Sequence, residues 1–179
     1  MATGKPKFYW DTAPLIAWFT DEERKKSEMD GLADVIEMVD RNDAVLMTSV
    51  LWRAEVVDLD LSKPTRQRIE EGIDGRSFIE LSIDGRVMDL ASEIRRYHKS
   101  SKKAGTLKNI RTPDAIHLAT AIHYDATEFH TFDGERPGKN PAGLISLSGN
   151  VAGHNLKICA PEARQLRLDF PNSNEVDDQ

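Results

Sequence analysis

The chain is short of cysteine, of positive charge, of aromatic side chains and of long apolar runs. Its one cysteine, Cys159, excludes an internal disulfide and a cysteine-built metal cage, and it reads as a small apolar residue near a strand end. No apolar run approaches the roughly 20 residues of a membrane span, so no membrane association is expected. The opening Met-Ala-Thr-Gly-Lys-Pro-Lys carries none of the apolar core of a secretory signal, and a cytoplasmic protein is the expectation. Lysine and arginine number 24 against 30 acids, a net charge of −6. That balance excludes a protein that coats nucleic acid through its overall charge, because such affinity comes from basic groups set against phosphates. A nuclease with a local basic surface remains open.

What is present is ordinary globular material: 179 residues, 39% hydrophobic and 30% charged, enough for a real core. No repeat and no linker divides it. The expectation is one domain over residues 1–160, followed by an acidic, partly disordered tail over 161–179.

Strand and helix signals alternate along the chain. Lys7 to Trp10 reads as a strand ending at Asp11. Thr12 opens a helix with Leu15, Ile16, Trp18 and Phe19 on one face, and the charged stretch from Thr20 to Ser27 is expected to be exposed. Leu32, Val35, Ile36 and Val39 mark a second helix from about Met29 to Arg41. The apolar run Ala44 to Thr48 suits a buried parallel strand. Ser49 then caps a third helix through Leu51, Ala54, Val57 and Leu61, which carries Glu55. Ser62 caps a polar helix to about Gly72, Phe78 to Ile83 is extended, and Val87 to His98 is helical. Ser100 to Asn109 forms a polar, Lys-rich loop. Thr112 is a good N-cap, Pro113 suits the first helical position and Asp114 suits the positive end of the helix dipole. Thr127 to Phe132 is a strand leading to Asp133, and Leu144 to Leu147 and Leu156 to Cys159 are short strand candidates. This alternation implies an α/β fold, a three-layer α/β/α sandwich with a mainly parallel sheet.

In such folds ligands bind at the carboxyl edge of the sheet. Asp11 and Asp133 follow strands there, and Glu55 and Asp114 stand near the starts of helices that leave that same edge. Each acid alone has a local explanation: a helix cap, a solvated helix residue, a dipole partner, a turn residue. Together they need a cation, because close carboxylates resist joint ionisation. An all-oxygen set suits Mg²⁺ or Mn²⁺, and such an ion supports phosphodiester hydrolysis.

The segments Tyr9-Trp10-Asp11-Thr12, Thr48-Ser49 with Glu55, Thr112-Pro113-Asp114-Ala115-Ile116-His117-Leu118-Ala119-Thr120-Ala121 and Thr131-Phe132-Asp133 resemble the PIN domain family, and most of all its VapC-type toxin ribonucleases. The resemblance covers roughly residues 7 to 147 and is most specific around Asp114. It implies an endoribonuclease dependent on Mg²⁺ or Mn²⁺, with Asp11 and Asp114 as leading metal ligands. Asp133 completes the acidic site, Glu55 binds metal or orients the attacking water, and the Thr131 hydroxyl supports it. Glu135 is a further acid nearby. It also implies an RNA substrate, a small antitoxin partner and a homodimer. The chain departs from the toxins in its extra length, in the first charged loop, in the Lys-rich loop and beyond residue 148. A module that keeps the fold and binds RNA or protein with little catalysis is the alternative. A phosphoacceptor receiver domain would need paired acids after the first strand, where Asp11 stands alone.

Basic residues crowd the approach to Asp114. Lys102, Lys103, Lys108 and Arg111 are candidates for contact with RNA phosphates, with Arg95, Arg96 and Lys99 just before them, although a solvated loop explains the same composition. His117 and His123 are expected to pack or hydrogen-bond without binding metal, since zinc would want more nitrogen or sulfur ligands. Trp10, Trp18 and Trp52 suit a core or a dimer interface, and Trp18, Val35 and Val39 outline an apolar face that suits a dimer contact or the core equally. Gly138-Lys139-Asn140 lacks the rest of a phosphate loop.

Overall fold

The computed structural model describes residues 4–20, 22–59, 61–74, 78–100, 109–134 and 142–163, with residues 58, 59 and 74 in backbone alone. Its centre is the strand β1 (Lys7–Trp10), in which Phe8, Tyr9 and Trp10 have no exposed surface. A strand covered on both faces has no polar side to show, which is why its sequence reads as a continuous apolar run.

From β1 the chain passes through α1 (Thr12–Thr20) and α2 (Lys26–Asp40) to β2 (Val45–Ser49). The short α3 (Trp52–Glu55), a 3₁₀ turn over Val56–Leu59 and α4 (Lys63–Asp74) lead to β3 (Ile79–Leu81). Helices α5 (Gly85–Ser100) and α6 (Thr112–His123) precede β4 (Glu128–His130), and a 3₁₀ turn over Leu144–Leu147 precedes β5 (Lys157–Cys159). All five strands are parallel, in the order β3-β2-β1-β4-β5. Strands β2 and β3 are therefore laid to one side of β1 and β4 and β5 to the other. The carboxyl ends of β1 and β4 form the switch point where this architecture binds ligands.

Two apolar layers sandwich the sheet. On one side Phe8, Trp10 and Leu46 pack with Leu15, Leu32, Val35, Trp52 and Ile69 from α1 to α4. On the other, Tyr9, Met47, Phe129 and Ile158 pack with Ile94, Ala115, Leu118 and Ala119 of α5 and α6. Tyr9 and Phe129, paired in register, stack with centroids 5.2 Å apart. Of the two readings of that face, Val35 takes the core, as Trp10 and Trp52 do, while Trp18 is half-buried.

Several local expectations give way. The third helix stops at Glu55 and tightens into 3₁₀ where the β-branched pair Val56-Val57 begins. Leu144–Leu147 is a 3₁₀ turn, not a strand: both leucines are buried, and apolar residues three apart serve a 3₁₀ turn as well as alternation serves a strand. Helix α6 begins at Thr112 itself, so Arg111 takes the cap position and no side chain caps it. At the far end, a Cβ on Gly31 of α2 would lie 2.5 Å from the backbone of Pro161 and Glu162, so only glycine lets residues 161 and 162 lie against that helix. Residues 164–179, Lys102, Lys103, Lys108, Glu135 and Gly138-Lys139-Asn140 lie outside the described residues.

Candidate metal centre

Asp11 leaves the end of β1 beside β4, where its N–H donates to the His130 carbonyl at 3.2 Å and extends the parallel ladder by one bond. Its Oδ1 accepts the Ala13 N–H at 2.9 Å, so the start of α1 is held by Asp11 and not by Thr12. Burial pushes the Asp11 carboxyl up from 3.8 to about 6, and the Glu55 charge adds to the rise, against the lowering by His117 and by hydrogen bonds from Thr131 and the Ala13 N–H. The site therefore holds a carboxylate whose charge is opposed chiefly by its burial.

Thr12 points elsewhere: its hydroxyl donates to Glu55 Oε2. The same oxygen lies 2.8 Å from His117 Nε2, whose ring is almost wholly buried. His117 Nδ1 is 2.7 Å from the Tyr9 hydroxyl. This chain of contacts joins β1, α3 and α6 and fixes Glu55 at the mouth of the cleft. Burial opposes ionisation of Glu55, but the His117 and Thr12 hydrogen bonds, with the His117 and Arg111 charges, hold its pKa below the ordinary value.

Asp114, in the first turn of α6, is 8% exposed. The Arg111 guanidinium clasps it with two bonds, Nε to Oδ2 at 2.9 Å and Nη2 to Oδ1 at 3.0 Å. The Arg111 side chain is itself 71% exposed, so this pair sits at the solvent boundary. Asp11, Thr12, Glu55, Arg111, Asp114 and His117 line one cleft of about 390 Å³, together with Glu22 and Arg24. Arg24 lies over the Phe132 ring at 3.9 Å from its centroid, so part of the stretch expected to be exposed folds back onto the site.

Asp133 stands to one side. It is not among the described residues lining the cleft, yet its charge reaches Arg111 and helps raise that guanidinium's pKa, after the larger effect of Asp114. Its Oδ2 accepts the Leu144 N–H at 3.2 Å. That approach needs Gly143, where a Cβ would lie 2.0 Å from the Gly134 carbonyl oxygen. Thr131 links the two halves: its hydroxyl bonds to the Asp11 side chain and its Oγ1 accepts the Asp133 N–H at 3.1 Å.

The structure thus brings Asp11, Glu55 and Asp114 to one cleft, sets Thr131 behind Asp11, and leaves Asp133 at its edge. The donor set is all oxygen and half-buried, which fits a hard divalent ion. Thr12 and Arg24 are contributors that the sequence reading passed over. Thr12 carries a signal, a hydroxyl next to a strand-end acid, whereas nothing local marks Arg24.

A second group of ligand types, Glu128, His130 and Cys159, has its atoms within 4.8 Å of one another on the α2 side of the sheet. It does not make a metal site. Trp10 Nε1 donates to His130 Nδ1 at 3.1 Å, so the neutral ring carries its proton on Nε2 and donates it to Glu128 at 3.1 Å. No ring lone pair is left for a metal, and Lys157 already supplies the cation, 3.1 Å from Glu128.

The five parallel strands lie between two helical layers, and an acidic cleft opens at the switch point of the sheet. A family model for the PIN domain matches residues 8–136, and the chain belongs to the PIN domain family. PIN domains are generally nucleases and usually use divalent metals. No curated protein matches the chain. Among solved structures it is similar to FitAcB from Neisseria gonorrhoeae, with 19% identity, a TM-score of 0.47, and coverage of 70% of this chain and 87% of that one.

Proposed function

We propose that this chain is a divalent-metal-dependent endoribonuclease, acting in the cytoplasm as the toxin of a toxin–antitoxin pair. One observation carries the catalytic half: three carboxylates from three separate elements, Asp11, Glu55 and Asp114, line one cleft, and burial, with the Glu55 charge, holds Asp11 near 6. Asp11 and Asp114 are the residues to hold Mg²⁺ or Mn²⁺, with Glu55 beside them and Asp133 completing the set directly or through water. Such an ion supplies a polarised phosphoryl oxygen, a stabilised leaving alkoxide and a bound water of lowered pKa.

The chain's own groups do the positioning. Thr131 and the Ala13 N–H orient the Asp11 carboxylate. Thr12 and His117 both bond Glu55 Oε2, which leaves Oε1 outside those bonds. Because its pKa is lowered, Glu55 stays ionised at neutral pH and serves as an acceptor that orients an attacking water. Arg111 competes for Asp114, and its exposed arm is free to exchange that carboxylate for a phosphate.

The antitoxin and the homodimer come from the family resemblance; an arginine of the antitoxin would suit a cleft lined by Asp11, Glu22, Glu55 and Asp114. The binding-module reading has one observation in its favour, the neutralisation of Asp114 by Arg111. The two readings part on a single assay, incubation of end-labelled RNA with purified protein and Mg²⁺ or Mn²⁺. Internal cleavage that disappears in Asp11→Asn and Asp114→Asn supports the nuclease. Binding without cleavage by the wild type supports the module, and growth arrest by wild type but not by Asp114→Asn supports the toxin.

A further inference from the structure

The sequence crowds cations before and at the start of α6, and the structure gives four of them, Arg95, Arg96, Lys99 and Arg111, a common surface. Ser92, Arg95, Arg96 and Lys99 recur on α5 at intervals of three, one and three, which puts them on one face of the helix. Asn109, Ile110 and Arg111 form the facing wall of a groove of about 810 Å³. Arg95 Nε donates to the Ile110 carbonyl at 3.2 Å and ties the two walls together, a bond that uses neither terminal nitrogen of the guanidinium. Arg96 and Lys99 are exposed. Among the described residues lining the groove there is no acid, in a chain whose net charge is −6.

The helix dipole does not account for this stripe. Lys99 lies in the last turn of α5, where a cation is favoured, but the dipole's effect fades within that turn and Arg95 and Arg96 precede it. A second observation gives the groove a direction. Arg111 lines both this groove and the acidic cleft, so the two surfaces meet at one side chain.

We propose that the α5–α6 groove seats the sugar-phosphate backbone of single-stranded RNA and delivers the scissile phosphate to the acidic cleft past Arg111. This rests on the nuclease reading. Planar guanidinium forks match phosphate oxygens two at a time, and three of the four cations are arginines. No aromatic side chain is among the described residues that line the groove, and those residues offer no platform for stacking bases. It grips phosphates and is indifferent to sequence; any base preference arises elsewhere.

The test uses the full chain carrying Asp11→Asn, so that RNA is bound and not cut, and a short fluorescein-labelled single-stranded RNA read by anisotropy between about 50 and 200 mM KCl. Each phosphate contact on a single strand contributes a slope of about 0.7 in log affinity against log salt. The pair Arg96→Ala with Lys99→Ala should weaken binding at low salt and cut the slope by about 1.4, so that the affinity lost across that salt range shrinks about sevenfold. Lys63→Ala, on α4 across the sheet, should leave the slope unchanged. Uridine and adenosine homopolymers should show the same loss. With Asp11 restored, the paired substitution should raise KM and spare kcat.

An unchanged slope in the paired variant, while wild type still cuts RNA, overturns the groove and leaves the nuclease standing. RNA neither bound nor cut by wild type overturns both. Polyglutamate that displaces RNA and shows the same slope and the same losses makes the groove a seat for an acidic protein and overturns the proposal. Both substituted side chains are exposed, and matching thermal melts confirm that the variants are folded.

Discussion

Substituting Asp11 by Asn should stabilise the metal-free protein, at neutral pH and not in acid. The Asp11 carboxyl is raised from 3.8 to about 6 by burial first, with the Glu55 charge adding to it. The unfolded carboxyl loses its proton near pH 4 and the folded one near pH 6, so in between the folded chain holds the extra proton. Stability therefore falls as pH rises through that window, by about 3 kcal/mol once the pH is above it, and the penalty is absent below about pH 4. Asn keeps the oxygen that accepts the Ala13 N–H, but it forfeits the charge-assisted bond from Thr131, at a cost of about 1 kcal/mol. The net gain is about 2 kcal/mol, or about 4–8 °C in Tm for a chain of this size. Scanning calorimetry in EDTA at about pH 7.5 and about pH 3.5 reads it. A variant no more stable than wild type at the higher pH, or a gap of equal size at both, refutes the reasoning.

Three further outcomes follow from the same geometry. Arg111→Met removes the cation that competes for Asp114, so Mn²⁺ affinity measured by calorimetry should rise up to about fivefold, the equivalent of an exposed ion pair of about 1 kcal/mol. His117→Phe removes one hydrogen-bond partner of the buried Tyr9 hydroxyl and loosens Glu55; chemical denaturation should show a loss of about 1–3 kcal/mol, RNA cleavage should fall, and His117→Asn should restore part of both. Gly143→Ala forces the loop away from the Asp133 and Gly134 backbone and breaks the Leu144 bond to Asp133, lowering stability by about 1–3 kcal/mol in the same measurement.

The parts of this protein that were legible in its sequence are those set by local pattern. Lys7 to Trp10, followed by Asp11, announces a buried strand with an acid at its tip. Pro113-Asp114 with Ala115, Leu118 and Ala119 announces a helix that is charged at its start and buried along its length. From those two, the sheet edge on which the acids meet could be inferred, because parallel α/β connections return every helix start to the same edge. Contacts between distant positions were not legible. Nothing in the sequence says that Thr12 turns from the cap of its own helix to Glu55, 43 residues on, or that His117 reaches Glu55 across 62 residues. His117 was expected to be packed or hydrogen-bonded, and it is both. The misread segments are those where one pattern serves two structures, as in Leu144–Leu147, or where a cap position shifts by a residue, as at Arg111.

The proposed centre requires Asp11 and Asp114 to hold one divalent ion between them. Titration calorimetry with Mn²⁺ on wild type, Asp11→Asn and Asp114→Asn, each checked for folding by its thermal melt, puts that question directly. The prediction is saturable binding by the wild type and a loss of at least about tenfold in each variant, since each removes a charged ligand worth more than about 1.4 kcal/mol. Unchanged Mn²⁺ affinity in either variant would contradict it.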